Sequence, residues 1–256
     1  MTVALDKTII YPDSDGQPMA DNTKQFRWIV LIKENLDSLF ADDDTVFVAG
    51  DLLWYPVEGQ PHIRVAPDVL VAFGRPKGDR GSYRQWQEEN VAPQVVFEIL
   101  SPGNTLKEMS RKLLFYHRYG VEEYYIYDPD NNELMGFTRV DQELISIETM
   151  DNWVSPRLGI RFERTVSTLN IYDSQGNLFL SPVELRKSLE QEKQRTEQEK
   201  VRAEQERTRA EQERIRAEQE KVRAEQERTR AEQEKARADH LAAKLRELGI
   251  DPTGLS

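Results

Sequence analysis

The chain has 256 residues, no cysteine, three histidines and a net charge of −11 at neutral pH. Disulfides and thiolate metal sites are therefore excluded, and His62, His117 and His240 are too scattered for the spacing of a zinc site. From residue 182 onward 18 basic residues meet 18 acidic ones, so residues 1–181 carry the whole −11, a balance that argues against non-specific attachment to nucleic acid through neutralised phosphates but not against a nuclease whose acids hold a metal ion.

No run of about 18 apolar residues and no signal-peptide pattern occurs, so a soluble, cytoplasmic protein is expected, with no membrane partner. Residues 1–21 read as an arm. Tyr11-Pro12-Asp13-Ser14-Asp15-Gly16-Gln17-Pro18 holds too many breakers for regular structure. A helix follows, capped by Asp21 or Asn22. Phe26, Ile29, Val30, Ile32, Leu36 and Leu39 or Phe40 recur near helical spacing, and residues 41–44 end it. Thr45–Ala49 and Leu52–Tyr55, separated by Gly50-Asp51, read as a hairpin or as two neighbouring strands.

Val69–Phe73 is a strand bounded by Pro67 and Gly74. Residues 74–92 read as a loop with one helical turn, Tyr83 and Trp86 being exposed or partly packed. Loops of that length often border a binding site. Val95–Leu100 is apolar on both faces, which suits a central strand covered on both sides. The helix Thr105–Tyr119 places Leu106, Met109, Leu113 and Tyr116 on one face, and Gly120 stops it. Glu123–Asp128 is a strand. Leu134–Val140, Leu144–Glu148 and a run near Ile160–Phe162 continue as a meander, and Leu169–Tyr172 and Leu178–Leu180 close the domain. Over residues 22–181 this order predicts a mixed sheet with flanking helices, an α/β or α+β domain.

Ser181-Pro182-Val183-Glu184 combines an N-cap, a proline at the first helical position and the glutamate of a capping box. No breaker recurs before Gly249, so one helix is expected over 182–249, roughly 100 Å long. A tail, 250–256, follows, with Ile250 packing back onto Leu245 or Leu248. The middle repeats every seven residues, close to RAEQERT. A row of alanines (Ala203 to Ala238) and a row running Val201, Thr208, Ile215, Val222, Thr229, Ala236 lie about 200° apart, so they do not share one seam. The 3,4-spaced seam through the second row pairs it with Gln205, Gln212 and their repeats, a half-polar, weak coiled coil. Pairs such as Glu211–Arg214 and Arg207–Glu211 support a lone helix equally well. The tail thus reads as a spacer or a homo-oligomerisation arm, and its neutrality argues against nucleic-acid binding.

Two acids stand in strongly apolar strand runs: Asp68, after Pro67, and Glu98, between Val96 and Leu100. Burying a carboxylate without a partner is costly, and neighbouring strands can bring two carboxylates to one ion. Hard oxygen ligands of this kind suit Mg2+ or Mn2+, and a nearby lysine can orient water or stabilise developing charge. The helix that follows carries both Lys107 and Lys112, and spacing alone does not choose between them. Asp68 can also be read as a turn residue, Glu98 as a core acid paired with a base, and Lys112 as a solvated helix residue. Asp51 is a further candidate acid, Asp128 a turn residue, Tyr116, Tyr124 and Tyr125 core, and His117 a surface or packing residue.

The string PDVLVAF, VVFEILSP, a helix with lysine, then GVEEYYIYDP resembles the Uma-type putative restriction endonuclease family of the PD-(D/E)XK nuclease superfamily, over roughly residues 10–180. The ending LAAKLRELGIDP also occurs in members of that family. The resemblance implies a PD-(D/E)XK restriction-endonuclease-like fold and metal-dependent hydrolysis of phosphodiester bonds in DNA. It matches Asp68 to the PD aspartate and Glu98 to the second acid, both as metal ligands, and Lys112 to a site lysine moved onto the helix. Leu100 stands where the superfamily pattern has its lysine; Lys107 is the alternative, and Glu108 lies nearest to the aspartate many members carry before the lysine. The departure at Leu100 leaves a second reading open, an inactive nuclease-like scaffold that assembles through its C-terminal helix.

Overall fold

The computed structural model describes residues 9–14, 16, 18–247 and 249. The chain divides into two compact units, Met1–Arg186 and Lys187–Ser256.

In the first unit α1 (Thr23–Leu39) opens on Asn22, whose side chain accepts from the backbone N–H groups of Lys24 and Gln25. That satisfies two of the four donors a helix start leaves unpaired. Ile29, Ile32 and Leu36 are buried on one face, while Phe26, expected on that stripe, is exposed.

The main sheet has six strands, β1 (Val46–Gly50), β3 (Val69–Phe73), β5 (Val95–Ile99), β6 (Glu123–Asp128), β7 (Glu133–Val140) and β8 (Glu143–Ser146), hydrogen-bonded in that order. β5 and β6 are parallel and the other neighbours antiparallel. A parallel pair needs a crossover, and α2 (Leu106–Tyr119) supplies it. Gly120 ends α2 in the left-handed conformation, φ 92°, its N–H bonded to Tyr116 O.

Strand alternation sorts the core into two layers. Val69, Val71, Val95, Phe97, Tyr125 and Tyr127 pack with α1, whereas Leu70, Ala72, Val96, Tyr124 and Ile126 pack with Met109, Leu113 and Tyr116 of α2. Leu106, expected on that face of α2, is almost fully exposed.

The expected hairpin does not form. β1 pairs with β3, and β2 (Trp54–Tyr55) instead runs parallel to β4 (Tyr83–Arg84). Asp51, at φ 49°, turns the chain away, and its N–H goes to Asp68 O. Within the expected loop 74–92 lie β4 and one 3₁₀ turn, Gln85–Gln87. Tyr83 is fully buried rather than partly packed: its hydroxyl donates to Val91 O at 2.8 Å and its ring stacks on Phe47. β9 (Arg161–Arg164) and β10 (Leu169–Tyr172) form a separate two-stranded sheet instead of extending the meander, and Leu178 contributes a single bridge to Tyr172.

α3 (Pro182–Glu247) is one continuous helix of 66 residues with none buried. Its start is the expected capping box: Ser181 N–H donates to Glu184 Oε2 at 2.9 Å and Glu184 N–H to Ser181 Oγ at 3.3 Å. Of the expected pairs Glu211–Arg214 closes at 3.5 Å; others form as Arg202–Glu206, Arg228–Glu232 and Arg230–Glu234. Ile250 and the tail 250–256 lie outside the described residues. Among the described residues no helix is long and apolar enough to cross a membrane.

Candidate active site

Asp68 stands immediately before β3 and Glu98 inside β5. In the β3–β5 ladder Val69 faces Phe97 and Leu70 faces Val96. One step further along that register sets Asp68 opposite Glu98, and the period of two turns both side chains to the α2 face. Both are buried, with 8% and 2% exposure. Asp68 Oδ2 accepts from the Ile99 N–H at 2.6 Å, so the carboxylate occupies the ladder position where β3 has ended.

Lys112 and Tyr116 lie four residues apart on α2 and therefore on one face. Both reach Glu98: Lys112 Nζ is 2.7 Å from Oε2, and the Tyr116 hydroxyl donates to Oε1. Lys107 is exposed. The geometry thus brings Asp68, Glu98 and Lys112 together and leaves Lys107 in solvent. Glu108 is half-buried and accepts from Asn104 at 3.3 Å, near enough for its charge to act on Lys112. Asp51 adds its charge to the field at Asp68. Asp128 caps the β6–β7 turn by accepting from the N–H groups of Asp130 and Asn131. His117 is a packing residue at the surface, its Nδ1 accepting from Leu144 N–H.

Charge shapes each group. Burial first, then the neighbouring Glu98 charge, raises the Asp68 carboxyl well above its ordinary value, against the pull of Lys112 and the Ile99 N–H. Burial pulls the Lys112 ammonium down, but attraction to Glu98 and Asp68 and the hydrogen bond to Glu98 outweigh it, leaving a net rise. Burial and the Glu98 charge hold the Tyr116 hydroxyl protonated, as a donor.

The loop from β5 to α2 is tied down from the other side of the sheet. Gln25 of α1 donates to Ile99 O at 2.8 Å, and Asp21 accepts from the Ser101 hydroxyl. Ser101 N–H in turn donates to Asn104 Oδ1 at 2.8 Å. The Ile99 backbone is thereby held at its N–H by Asp68 and at its carbonyl by Gln25.

Two acids and one base leave the cluster one negative charge in excess when all three are ionised. Their donor atoms are hard oxygens, so the residues fit Mg2+ or Mn2+. Among the described residues no group of three or more His, Asp or Glu side chains converges to hold an ion. Both Glu98 oxygens are engaged by α2, so an ion ligated through Oε2 shares that oxygen with the Lys112 ammonium or displaces it.

Tyr116 and Tyr124 lie in the core, as expected, but sequence reasoning missed that the Tyr116 hydroxyl also donates to Glu98. A buried phenol still needs a partner for its polar end. The spacing Lys112-x-x-x-Tyr116 was the available signal.

A family model described as putative restriction endonuclease (Uma2) matches residues 14–169. A model of a Helicobacter pylori protein of unknown function matches residues 176–247. No curated protein matches the chain. Among solved structures, a putative nuclease from Anabaena variabilis aligns at 16% identity and TM-score 0.40, over 55% of this chain and 74% of that one.

Proposed function

This chain belongs to the Uma2 family of putative restriction endonucleases, and we propose that it is a metal-dependent endonuclease hydrolysing phosphodiester bonds of DNA. The observation that carries this reading is the pairing of Asp68 and Glu98 on one buried face, with the Lys112 ammonium 2.7 Å from Glu98.

Asp68 and Glu98 would hold Mg2+ or Mn2+. Bound there, such an ion polarises a phosphoryl oxygen and acidifies water. Lys112 keeps a positive charge beside the carboxylates, where it can donate to the attacking water or to the phosphoryl group as negative charge develops. Tyr116 fixes the orientation of Glu98 through Oε1, and the Ile99 N–H fixes that of Asp68. The apolar layer of Leu70, Val96 and Ile126 excludes bulk water from the inner side of the site.

Duplex DNA, single-stranded DNA and RNA are to be incubated with the purified protein in Mg2+, Mn2+ or EDTA. Ion-dependent cleavage of DNA, lost in Asp68→Ala, is expected. No cleavage of any substrate, together with Mn2+ binding that Asp68→Ala leaves unchanged, defeats the reading.

A second reading is an interaction protein without catalysis that assembles as a homo-oligomer through α3. It is favoured by the closed Lys112–Glu98 pair and by a helix of 66 residues with none buried. Sedimentation equilibrium of the full chain discriminates when read with the cleavage assay: an oligomer that cleaves nothing supports this reading, and a cleaving monomer removes it.

A further inference from the structure

Tyr124 has no solvent exposure, and its hydroxyl is the buried side-chain polar atom without a hydrogen-bond partner among the described residues. In the β5–β6 ladder Tyr124 faces Val96, and Ile126 faces Glu98. Alternation therefore turns Tyr124 to the same side of the sheet as Glu98, one strand over and two residues away. Its ring packs edge-on against Tyr116 at 4.8 Å, the ring whose hydroxyl donates to Glu98, and nearly parallel to Phe137 at 5.7 Å. Those contacts need only a ring; phenylalanine would make them equally well. A hydroxyl left without a partner in such a slot weakens the fold, so nothing in the packing accounts for it.

The surroundings indicate what the hydroxyl faces. Its ring lies against Tyr116, the residue that holds Glu98, and the charges of Glu98, Asp68 and Glu108 all act on it. Both Glu98 oxygens are engaged by Lys112 and Tyr116, and Asp68 Oδ2 by the Ile99 N–H, and none of the three accepts from Tyr124. We infer that the Tyr124 hydroxyl is a ligand-binding group of the Asp68–Glu98 site, donating to a phosphoryl oxygen of the phosphodiester bound there. The inference rests on the nuclease reading and adds a substrate contact to it. A phosphodiester offers acceptor oxygens and no protons, the complement of a lone donor, and a neutral donor serves it without adding to the negative charge of the two acids.

The test is Tyr124→Phe in the full chain, with three measurements: thermal unfolding in EDTA, Mn2+ affinity without ester, and Mn2+-dependent hydrolysis of bis(p-nitrophenyl) phosphate. The variant is expected to unfold at or above the wild-type temperature and to bind Mn2+ equally well. Its kcat/KM should fall on the order of 10-fold, the loss of one hydrogen bond to a charged group. An unchanged kcat/KM, as when only a trapped water meets the hydroxyl, overturns the inference. So does a lowered unfolding temperature, which would show that the hydroxyl serves the fold. If the wild-type protein neither binds Mn2+ nor hydrolyses the ester, the nuclease reading fails and this inference with it. If it does both and Tyr124→Phe matches it, only the inference fails.

Discussion

Replacing Lys112 with methionine keeps an unbranched apolar stem and removes the charge that two buried carboxylates share. Glu98 is 3% exposed at its side chain and Lys112 18%, so solvent screens their 2.7 Å contact little. Removing one partner of a buried pair leaves the other charge uncompensated, at about 3–5 kcal/mol. The two ends of this pair are not equivalent. Glu98→Gln leaves Lys112 with Asp68, one charge of each sign, and its cost should be that of a degraded buried hydrogen-bond set, about 1–3 kcal/mol. Lys112→Met leaves Asp68 and Glu98 facing each other with no base between them. The predicted order is therefore Lys112→Met more damaging than Glu98→Gln in EDTA. Mn2+ should reverse part of it, because an ion at the carboxylates supplies the missing charge and no ammonium competes for Oε2. At 100 times its Kd, Mn2+ adds about 2.7 kcal/mol of stability, and the Kd should be lower for Lys112→Met than for wild type. Urea unfolding followed by tryptophan fluorescence measures this cleanly, since Trp28, Trp54, Trp86 and Trp153 all lie in the first unit. A loss below about 1 kcal/mol for Lys112→Met, the range of an exposed pair, would refute the electrostatic argument. The reverse order of the two variants would refute it as well.

Three further outcomes test the scaffold around the site. Asn22→Ala removes the oxygen that caps two N–H groups at the start of α1 and should cost about 1 kcal/mol in urea unfolding, with Mn2+ affinity unchanged. Gly120→Ala forces a side chain into φ 92° at the end of α2 and should cost on the order of 1 kcal/mol. Asp128 is held below its ordinary pKa: burial raises it, but hydrogen bonds from Asn131 and the Asp130 N–H, with the Lys24 charge, outweigh that. A lowered folded pKa means stability fully present above the unfolded value of 3.8 and lost as pH falls through the folded value. Asp128→Asn should therefore flatten the acid limb of the stability–pH curve below about pH 4 and leave the neutral region nearly flat; an unchanged acid limb would exclude Asp128 as a contributor.

The candidate site was partly legible in advance. Asp68 and Glu98 stood out because carboxylates are expensive inside apolar strands, and that cost is a local property of the sequence. Lys112 was not separable from Lys107 by spacing. The choice depends on which face of α2 meets the sheet, which Met109, Leu113 and Tyr116 decide by packing. Gln25 and Asp21 act on the β5–α2 turn across 74 and 80 residues of sequence, a distance no local pattern reports.

Among the elements, α3 was the most readable. A capping box, an unbroken run of helix formers and a stopping glycine are local signals, and nothing tertiary competes with them in a helix with none of its residues buried. α1, α2, β3, β5 and β6 were likewise given by periodicity and by their flanking breakers. Pairing was not. Thr45–Ala49 and Leu52–Tyr55 look like a hairpin because they are adjacent in sequence, yet β1 finds β3 and β2 finds β4, since the turn at Asp51 is bonded to the Asp68 carbonyl rather than closed on itself. Sequence alone determined which segments are helical or extended and which acids are costly to bury, because those are properties of short stretches. Only the tertiary structure decided which strands meet, that both acids face α2, and that Lys112 and Tyr116 complete the cluster, because each depends on contacts between segments far apart in the chain.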